Sequence, residues 1–98
     1  MGFSLDLAEE ALEDLANLWT YYSRLLDKEL AQGRVDEVIA RVQELCVFPE
    51  SGALHHGRRL GVRKVSVRQH QVFYLVAASR IQVLRVLHAR RGDLETEI

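Results

Sequence analysis

Histidine and arginine side chains in the second half of the chain are the residues best suited to chemistry. A ribonuclease needs an acid–base group for the 2′-hydroxyl and the leaving oxygen, and cations that hold the phosphate. His88 could supply the acid–base group, while Arg63, Lys64, Arg85 and Arg90 could hold the phosphate. The alternative for His88 is a histidine at a strand end that hydrogen-bonds the backbone. These residues are therefore catalytic only if the chain is a nuclease.

Other features of the sequence argue against catalysis and against a metal site. No Phe, Tyr or Trp follows Tyr74, so the C-terminal region offers no ring to stack an RNA base. The pI near 6.4 is low for a protein that binds the ribosome. His55 and His56 are adjacent and have no Cys or carboxylate at ligand spacing, and Cys46 has no evident activating partner. We therefore expect solvated loop histidines, no metal and no cofactor.

The charges are divided between the two halves of the chain. Residues 1–50 carry four basic and eleven acidic side chains, whereas residues 51–98 carry nine basic and three acidic. Such an asymmetry bears on the choice of partner. Arg63, Lys64 and Arg68 alternate in part with valines, either as a contact face for a macromolecule or as ordinary exposed positions on a strand. Arg90 and Arg91 lie past the last predicted strand, where loops and ends tend to carry function.

The elements that would position these residues follow from the spacing of the apolar side chains. Phe3 and Leu5 alternate with polar residues, which predicts a short first strand. Two stripes at three- and four-residue spacing then predict two amphipathic helices. The stripes are Leu12, Leu15, Leu18, Trp19, Tyr22, Leu25 and Leu26, followed by Val35, Val38, Ile39, Val42, Leu45 and Cys46. The break between the helices stays open, because Asp27 could cap the second or Gly33 could end the first.

The second half predicts a loop over residues 51–61 and then three strands. The first strand begins at Val62, the second is the apolar run Val72–Ala78, and the third covers Ile81–Leu87. The tail Asp93–Ile98 is expected to fray or to form a short turn of helix. The predicted fold class is α+β, with a short N-terminal strand, a helical hairpin and a three-stranded antiparallel sheet.

Helices packed on one face of this sheet would bury a single core. Its predicted members are Leu15, Trp19, Val38, Val42, Phe73, Leu75, Val83 and Leu87. If Trp19 is in that core, Trp19→Ala should cost about 3–5 kcal/mol of stability.

Length and composition limit the class of protein to which the chain can belong. A chain of 98 residues predicts one domain over residues 1–98. The one cysteine excludes an internal disulfide and fits a reducing cytoplasm. Asp6, Glu9 and Glu10 stand where a secretory signal would be basic or apolar, and no apolar stretch is long enough to span a membrane. We expect a cytoplasmic protein without membrane contact.

Five segments carry a resemblance to a known family. They are Ala8–Leu15 with Leu18-Trp19 and Tyr21-Tyr22, then Phe48-Pro49-Glu50-Ser51-Gly52, Gly61-Val62-Arg63, Val72-Phe73-Tyr74, and Val83–Asp93 with its Leu87-His88-Ala89-Arg90-Arg91 core. In this order and spacing they resemble the ParE branch of the RelE/ParE toxin superfamily. Two positions depart from the family pattern, since Leu75 stands where ParE often has Arg and Gly92 is inserted before Asp93.

The resemblance implies a RelE/ParE-like fold and a toxin of a type II toxin–antitoxin module. A cognate antitoxin wraps such a toxin in a hetero-oligomer and holds it inactive. ParE toxins act on DNA gyrase and trap it in DNA-cleaving complexes, whereas RelE-type relatives cut mRNA on the ribosome. We expect gyrase inhibition without sequence-specific DNA binding by the toxin alone, with the RelE-type endonuclease as the alternative.

The resemblance and the charge pattern together suggest two sets of contact residues. We assign target contact to Arg63, Lys64, Arg68, His88, Arg90 and Arg91, and antitoxin contact to Tyr22, Val35, Ile39 and Arg85. One of Tyr21 and Tyr22 must face outward, and apolar helix surface that the sheet leaves open would receive an amphipathic antitoxin helix. Arg85 has apolar neighbours, so we expect it to pair with an acidic group of the antitoxin or of the helical hairpin.

Overall fold

The computed structural model describes residues 2–98 and confirms the α+β class. In chain order the elements are β1 (Ser4–Leu7), α1 (Glu9–Leu25), α2 (Lys28–Leu45), β2 (Ala53–Leu54), β3 (Arg63–Val67), β4 (His70–Ala77) and β5 (Arg80–His88). A single 3₁₀ turn, Ala89–Arg91, then leads into α3 (Gly92–Glu95). No helix within residues 2–98 combines the length and apolar character that crossing a bilayer requires.

The sheet contains five strands, in the order β1-β5-β4-β3-β2. The three predicted strands β3, β4 and β5 form an antiparallel meander at its centre. β1 joins one edge, parallel to β5, with Leu7 opposite Val83. β2 joins the other edge from within the segment predicted as loop, and its two residues are too few for periodicity to reveal.

The helical hairpin breaks at Asp27, which settles the alternative that the sequence left open. The Asp27 carboxylate accepts a hydrogen bond of 2.8 Å from the Leu30 N–H and so caps the first turn of α2. Gly33 lies inside α2 rather than at the end of α1. The cap therefore places the turn between the helices at Leu26 and Asp27.

The sheet buries a different apolar cluster on each face, so the prediction of one shared core was wrong. Leu15, Val38, Val42 and Val83 lie together in the cluster beneath the helical hairpin. Phe73 and Leu87 belong to a second cluster on the opposite face, where Val62 and Ile98 are also buried and Leu75 packs at the margin. Successive strand residues point to opposite faces, so the apolar run in β4 serves both clusters.

Trp19 lies outside both clusters, which also corrects the prediction. The buried side of α1 is formed by Ala11, Leu15 and Leu18, with Tyr22 packed beside them. At 3.6 residues per turn, Trp19 sits about 70° from the centre of that stripe. Its side chain is therefore only half-buried at the flank of the helix.

The C-terminal segment forms the predicted short turn of helix and contributes to the second cluster. Ile98 is buried, and its carbonyl accepts a hydrogen bond of 3.0 Å from the Arg59 N–H. The His55 Nε2–H donates to the Glu95 carbonyl at 2.8 Å. The segment is thus held against the loop between β2 and β3.

The Tyr74 hydroxyl ties the loop after α2 to the sheet. It donates to the Pro49 carbonyl at 2.8 Å and accepts from the Gly52 N–H at 2.9 Å. A Cβ added at Gly52 would lie 2.5 Å from this hydroxyl oxygen, so only glycine allows the close approach. Burial raises the pKa of Tyr74 above its ordinary value, which keeps the hydroxyl protonated as a donor.

Candidate functional site

Most candidate cations lie at the edges, turns and ends of the sheet. The helical hairpin covers one face, and the second apolar cluster fills much of the other. Arg68 lies in the β3–β4 turn, and Arg90 and Arg91 lie beyond β5. The structure therefore does not present one continuous cationic face for a nucleic-acid strand.

His88 ends β5 and caps the turn that follows it. Its Nδ1 accepts a hydrogen bond of 3.0 Å from the Arg90 N–H. An accepting Nδ1 carries no proton, so the neutral ring carries its proton on Nε2, which lies 3.4 Å from the Gln69 Oε1. His88 therefore makes the backbone contact that was the alternative to an acid–base role.

His70 stands directly opposite His88 in the sheet, and sequence reasoning missed it. The two ring centroids lie 5.1 Å apart, and the centroid of the Tyr22 ring lies 6.0 Å from that of His70. His70 is only 9% exposed, and burial, with a smaller effect of His88, lowers its pKa below the ordinary value. The sequence marks His70 only by its place two residues before the predicted strand Val72–Ala78, because its pairing with His88 depends on strand register.

Arg85 is bound by the acidic side of α1, one of the two partners expected for it. Its Nε donates to the Asp14 Oδ2 at 2.8 Å and its Nη2 to the Asp14 Oδ1 at 3.0 Å. The Glu10 Oε2 lies 3.4 Å from the Arg85 Nη1, which makes Glu10 a second partner. The hydrogen bonds to Asp14 raise the pKa of Arg85, so the guanidinium stays charged and engaged within the fold.

Arg63 is held at the end of the sheet that lies away from His88. Its Nη1 donates to the Gly52 carbonyl at 2.7 Å. Arg63 pairs with Tyr74, whereas His88 pairs with His70, four residues earlier on β4. The two sites are therefore about 13 Å apart along the strand and about 10 Å apart across the sheet. The structure does not bring Arg63 and His88 to one phosphate.

Lys64 and Arg68 lie on different parts of the molecule. Lys64 pairs with Phe73, which places it on the face away from the helical hairpin. Arg68 has a φ of +54° in the β3–β4 turn and forms a two-pronged ion pair with Glu37 of α2. The hydrogen bond with Arg68 lowers the pKa of Glu37 and raises that of Arg68.

An open pocket of about 440 Å³ brings together several of the predicted target residues. It lies between α1, the free end of β5 and the C-terminal turn. Its lining includes Asp14, Asn17, Tyr21, His70, Arg85, His88, Arg90, Arg91 and Leu94. Asp14 is neutralised by Arg85, so the arginines at the rim leave the pocket net positive. The arrangement suits an acidic or aromatic group of a binding partner.

The residues predicted to contact an antitoxin are mostly packed against the core. Val35 and Ile39 are half-buried against the first cluster, and Tyr22 packs there as well, with the Arg34 guanidinium 5.8 Å from its ring centroid. Tyr21 is the outward tyrosine, with 53% of its surface exposed. The exposed apolar side chains of the hairpin are Leu12, Tyr21, Leu25, Leu26 and Leu30.

The sequence and the fold were compared with known proteins. A family model described as "ParE toxin of type II toxin-antitoxin system, parDE" matches residues 5–92. The chain belongs to the ParE toxin family. Comparison with curated proteins gives no match.

Solved structures of related toxins share this ParE-family fold. A chain of the chromosomal ParDE toxin–antitoxin system from P. aeruginosa is 25% identical, with 88% of this chain and 95% of that chain covered and a TM-score of 0.77. A free mutant of the E. coli toxin RelE is 18% identical, with 99% and 94% covered and a TM-score of 0.72. A chain of the RelBE2 complex from Mycobacterium tuberculosis is 17% identical, with 90% and 99% covered and a TM-score of 0.63. Because the RelE and RelBE2 chains are only 18% and 17% identical to this chain, they show a likeness of fold alone.

The ParE-like motifs of the sequence meet in space. Pro49 and Gly52 of the Phe-Pro-Glu-Ser-Gly segment hydrogen-bond the hydroxyl of Tyr74 from the Val-Phe-Tyr strand, and Arg63 of the Gly-Val-Arg segment donates to the Gly52 carbonyl. These three motifs of this ParE-family toxin therefore form one structural clamp. Arg90 and Arg91 of its C-terminal motif remain exposed at the pocket.

Proposed function

We propose that this toxin binds and poisons DNA gyrase without enzymatic activity, and that a cognate antitoxin neutralises it in the cytoplasm. The separation of Arg63 and Lys64 from His88 carries the proposal. His88, Arg63 and Arg85 each make hydrogen bonds within the fold, and Arg63 lies at the far end of the sheet from His88. A phosphate seated at His88 would share its pocket with Arg85, which Asp14 already binds, and with Arg90, but it would lack Arg63.

A target surface built for protein recognition fits the geometry better. The pocket beside α1 combines the exposed ring of Tyr21 with Arg90 and Arg91 at its rim. Tyrosine and arginine are enriched among the residues that dominate binding energies at protein interfaces. Target contact through Arg90, Arg91 and His88 is therefore consistent with a toxin that acts by binding.

The antitoxin would bind where the hairpin exposes apolar surface. Leu25, Leu26 and Leu30 surround the turn between the helices, and Tyr21 continues this surface along α1 towards the pocket. Tyr22, Val35 and Ile39 would support such a contact from the half-buried layer below. An amphipathic helix with acidic positions facing Arg24 would fit this surface. The structures of the ParDE system and of RelBE2 are of toxin–antitoxin systems, which supports a partner of this kind.

The runner-up function is a ribosome-dependent mRNA endonuclease. It is favoured by the histidine pair, which shares a pocket with Arg85, Arg90 and Arg91, and by the likeness of fold to RelE. A small cationic pocket with a titratable group is a usual place for acid–base chemistry.

Expression of the His88→Ala variant distinguishes the two functions. Under the gyrase proposal, transcripts mapped by primer extension stay intact during expression of the unchanged toxin, and His88→Ala weakens growth arrest only as far as a target contact is lost. The exposed loop residue His56 supplies a matched control, His56→Ala. Cleaved transcripts with the unchanged toxin, together with loss of toxicity in His88→Ala but not in His56→Ala, would establish the endonuclease instead.

A further inference from the structure

The loop between β2 and β3 presents a leucine at its tip beside two arginines. Arg58, Arg59 and Leu60 are all exposed, and 95% of the Leu60 surface is accessible, the largest value among the exposed large apolar side chains of residues 2–98. A leucine this exposed buries no apolar surface within the fold and so contributes nothing to its core. The exposure of Leu60 next to two arginines is therefore explained by contact with another molecule and not by the stability of the fold.

The loop is anchored at its base, so the tip has a defined position. The His55 N–H donates to the Val62 carbonyl at 2.8 Å, which closes the β2–β3 hairpin. The His55 ring packs edge-on against Phe73, with centroids 5.0 Å apart. The Arg59 N–H is bound by the Ile98 carbonyl. Gly61, with a φ of +83°, then turns the chain back into β3.

Both tip arginines are available for an external anion. Within residues 2–98, neither Arg58 nor Arg59 has a carboxylate oxygen within 4.0 Å. Glu10 and Glu97 line the same shallow depression as the two arginines, and Arg85 borders it as a further cation. Arg85 is already paired with Asp14 and Glu10, so Arg58 and Arg59 are the cations of this depression that are left for an external anion, with Glu97 beside them.

The charge of the molecule is also divided across the sheet. The helical hairpin, with most of the eleven acidic side chains of residues 1–50, covers one face. The loop packs on the other face through His55 and Phe73, and Lys64 lies on that face as well. An anionic surface that approaches the loop side would therefore have most acidic side chains of the hairpin across the sheet from it, with Glu10 and Glu97 as the carboxylates beside the two arginines.

We infer that Arg58, Arg59 and Leu60 form a contact for duplex DNA without sequence preference. Arginines bind phosphates or enter the minor groove, and leucine is one of the apolar side chains that proteins insert between base steps. A protein pocket would be the other kind of partner for this tip. DNA is favoured because two adjacent arginines without a carboxylate partner directly precede one exposed leucine. A protein partner is less favoured because leucine is under-represented among the residues that dominate binding energies at protein interfaces. A role of this contact in poisoning rests on the proposed function, but the contact itself does not.

Direct binding to DNA alone tests the inference independently of gyrase. The probe is a labelled duplex of about 30 base pairs with 2-aminopurine at a central TA step, a step that unstacks easily. Two phosphate contacts predict a weak affinity that falls about tenfold between 50 and 200 mM salt. Arg58→Ala/Arg59→Ala should remove most of this salt dependence. Leu60→Ala should keep it but lose the 2-aminopurine fluorescence increase that unstacking produces.

The matched control replaces exposed cations of the helical layer, Arg24→Ala/Lys28→Ala, and should bind the duplex as the unchanged protein does. No binding at 20 mM salt, or equal binding by the Arg58/Arg59 variant, would overturn the inference. Equal loss in the control would do the same. If both loop variants bind DNA normally but lose toxicity in cells, the tip contacts a protein instead and the DNA assignment is wrong. Failure of gyrase poisoning with duplex binding intact would count against the proposed function alone.

Discussion

The Asp14 carboxylate joins α1 to the free edge of β5 by holding both the side chain of Arg85 and the backbone of its neighbour. Two hydrogen bonds of 2.8 and 3.0 Å bind the guanidinium, and a third of 2.9 Å satisfies the Val86 N–H. This N–H lies beyond Val83, where pairing with β1 ends. A strand edge that would otherwise present an unpaired donor is therefore closed by a side chain.

Replacing Asp14 should destabilise the fold rather than act only on function. Asp14→Asn takes from Arg85, which is 24% exposed, the carboxylate that binds it in two hydrogen bonds and leaves only the more distant Glu10, so we expect a loss of about 1–3 kcal/mol. The denaturant midpoint measures this change. Glu10→Gln, at the exposed second partner, should change the midpoint very little. Equal midpoints for the Asp14 variant and the unchanged protein would show that the pair does not hold β5.

Replacing Tyr74 by phenylalanine tests the clamp between the ParE-like motif segments of this chain. Tyr74→Phe removes the partner of the Gly52 N–H and of the Pro49 carbonyl, which should cost about 1–3 kcal/mol of unfolding free energy. Tyr21→Phe is the matched control, because its ring is exposed and should be neutral. A Tyr74 variant as stable as the control would mean that water replaces both bonds without cost.

Stability should fall in mild acid because of His70. Its pKa in the folded state is lowered from 6.5 by burial and by His88, so the unfolded chain binds a proton first as the pH falls. The free energy of unfolding should therefore decrease as the pH drops through about 6.5, and this loss should level off below the folded pKa.

Unfolding measured between pH 7.5 and pH 5 checks this dependence. His70→Gln should flatten the pH profile over this range, while His56→Ala, in the exposed loop, should not. An unchanged slope in the His70 variant would show that His70 is not the source of the pH dependence.

Two aromatic replacements test the division of the core. Phe73 is fully buried in the second cluster, so Phe73→Ala should cost about 3–5 kcal/mol. Trp19 is half-buried and outside both clusters, so Trp19→Ala should cost about 1–2 kcal/mol, less than the sequence suggested. Thermal or denaturant unfolding of both variants measures which replacement causes the greater loss of stability. A greater loss at Trp19 than at Phe73 would contradict the two-cluster arrangement.

Much of the fold could be predicted because its long elements have strong periodicity. The stripes of α1 and α2 and the apolar run of β4 identify these elements, and Pro49 marks the end of the second helix. The two clusters were missed because an uninterrupted apolar strand does not show which face each residue serves. β2 was missed because its two residues make a strand only through pairing with Arg63 and Lys64.

The candidate site was less predictable because its geometry depends on long-range register. Nothing in the spacing of Asp14 and Arg85 shows that they meet, since 70 residues separate them along the chain. The pairing of His70 with His88 similarly follows from the register of β4 and β5. The exposure of Leu60 depends on how the loop packs against Ile98, far away in the sequence.

Purified gyrase, relaxed or supercoiled plasmid and the toxin provide the most direct test of the central claim. After detergent and protease treatment, linear plasmid reports trapped cleavage complexes, and the conversion of relaxed to supercoiled plasmid reports gyrase activity. The account predicts that linear DNA accumulates, that supercoiling is inhibited, and that both effects disappear when the cognate antitoxin is added first. Normal supercoiling with no linear DNA at toxin concentrations above those of gyrase would contradict it.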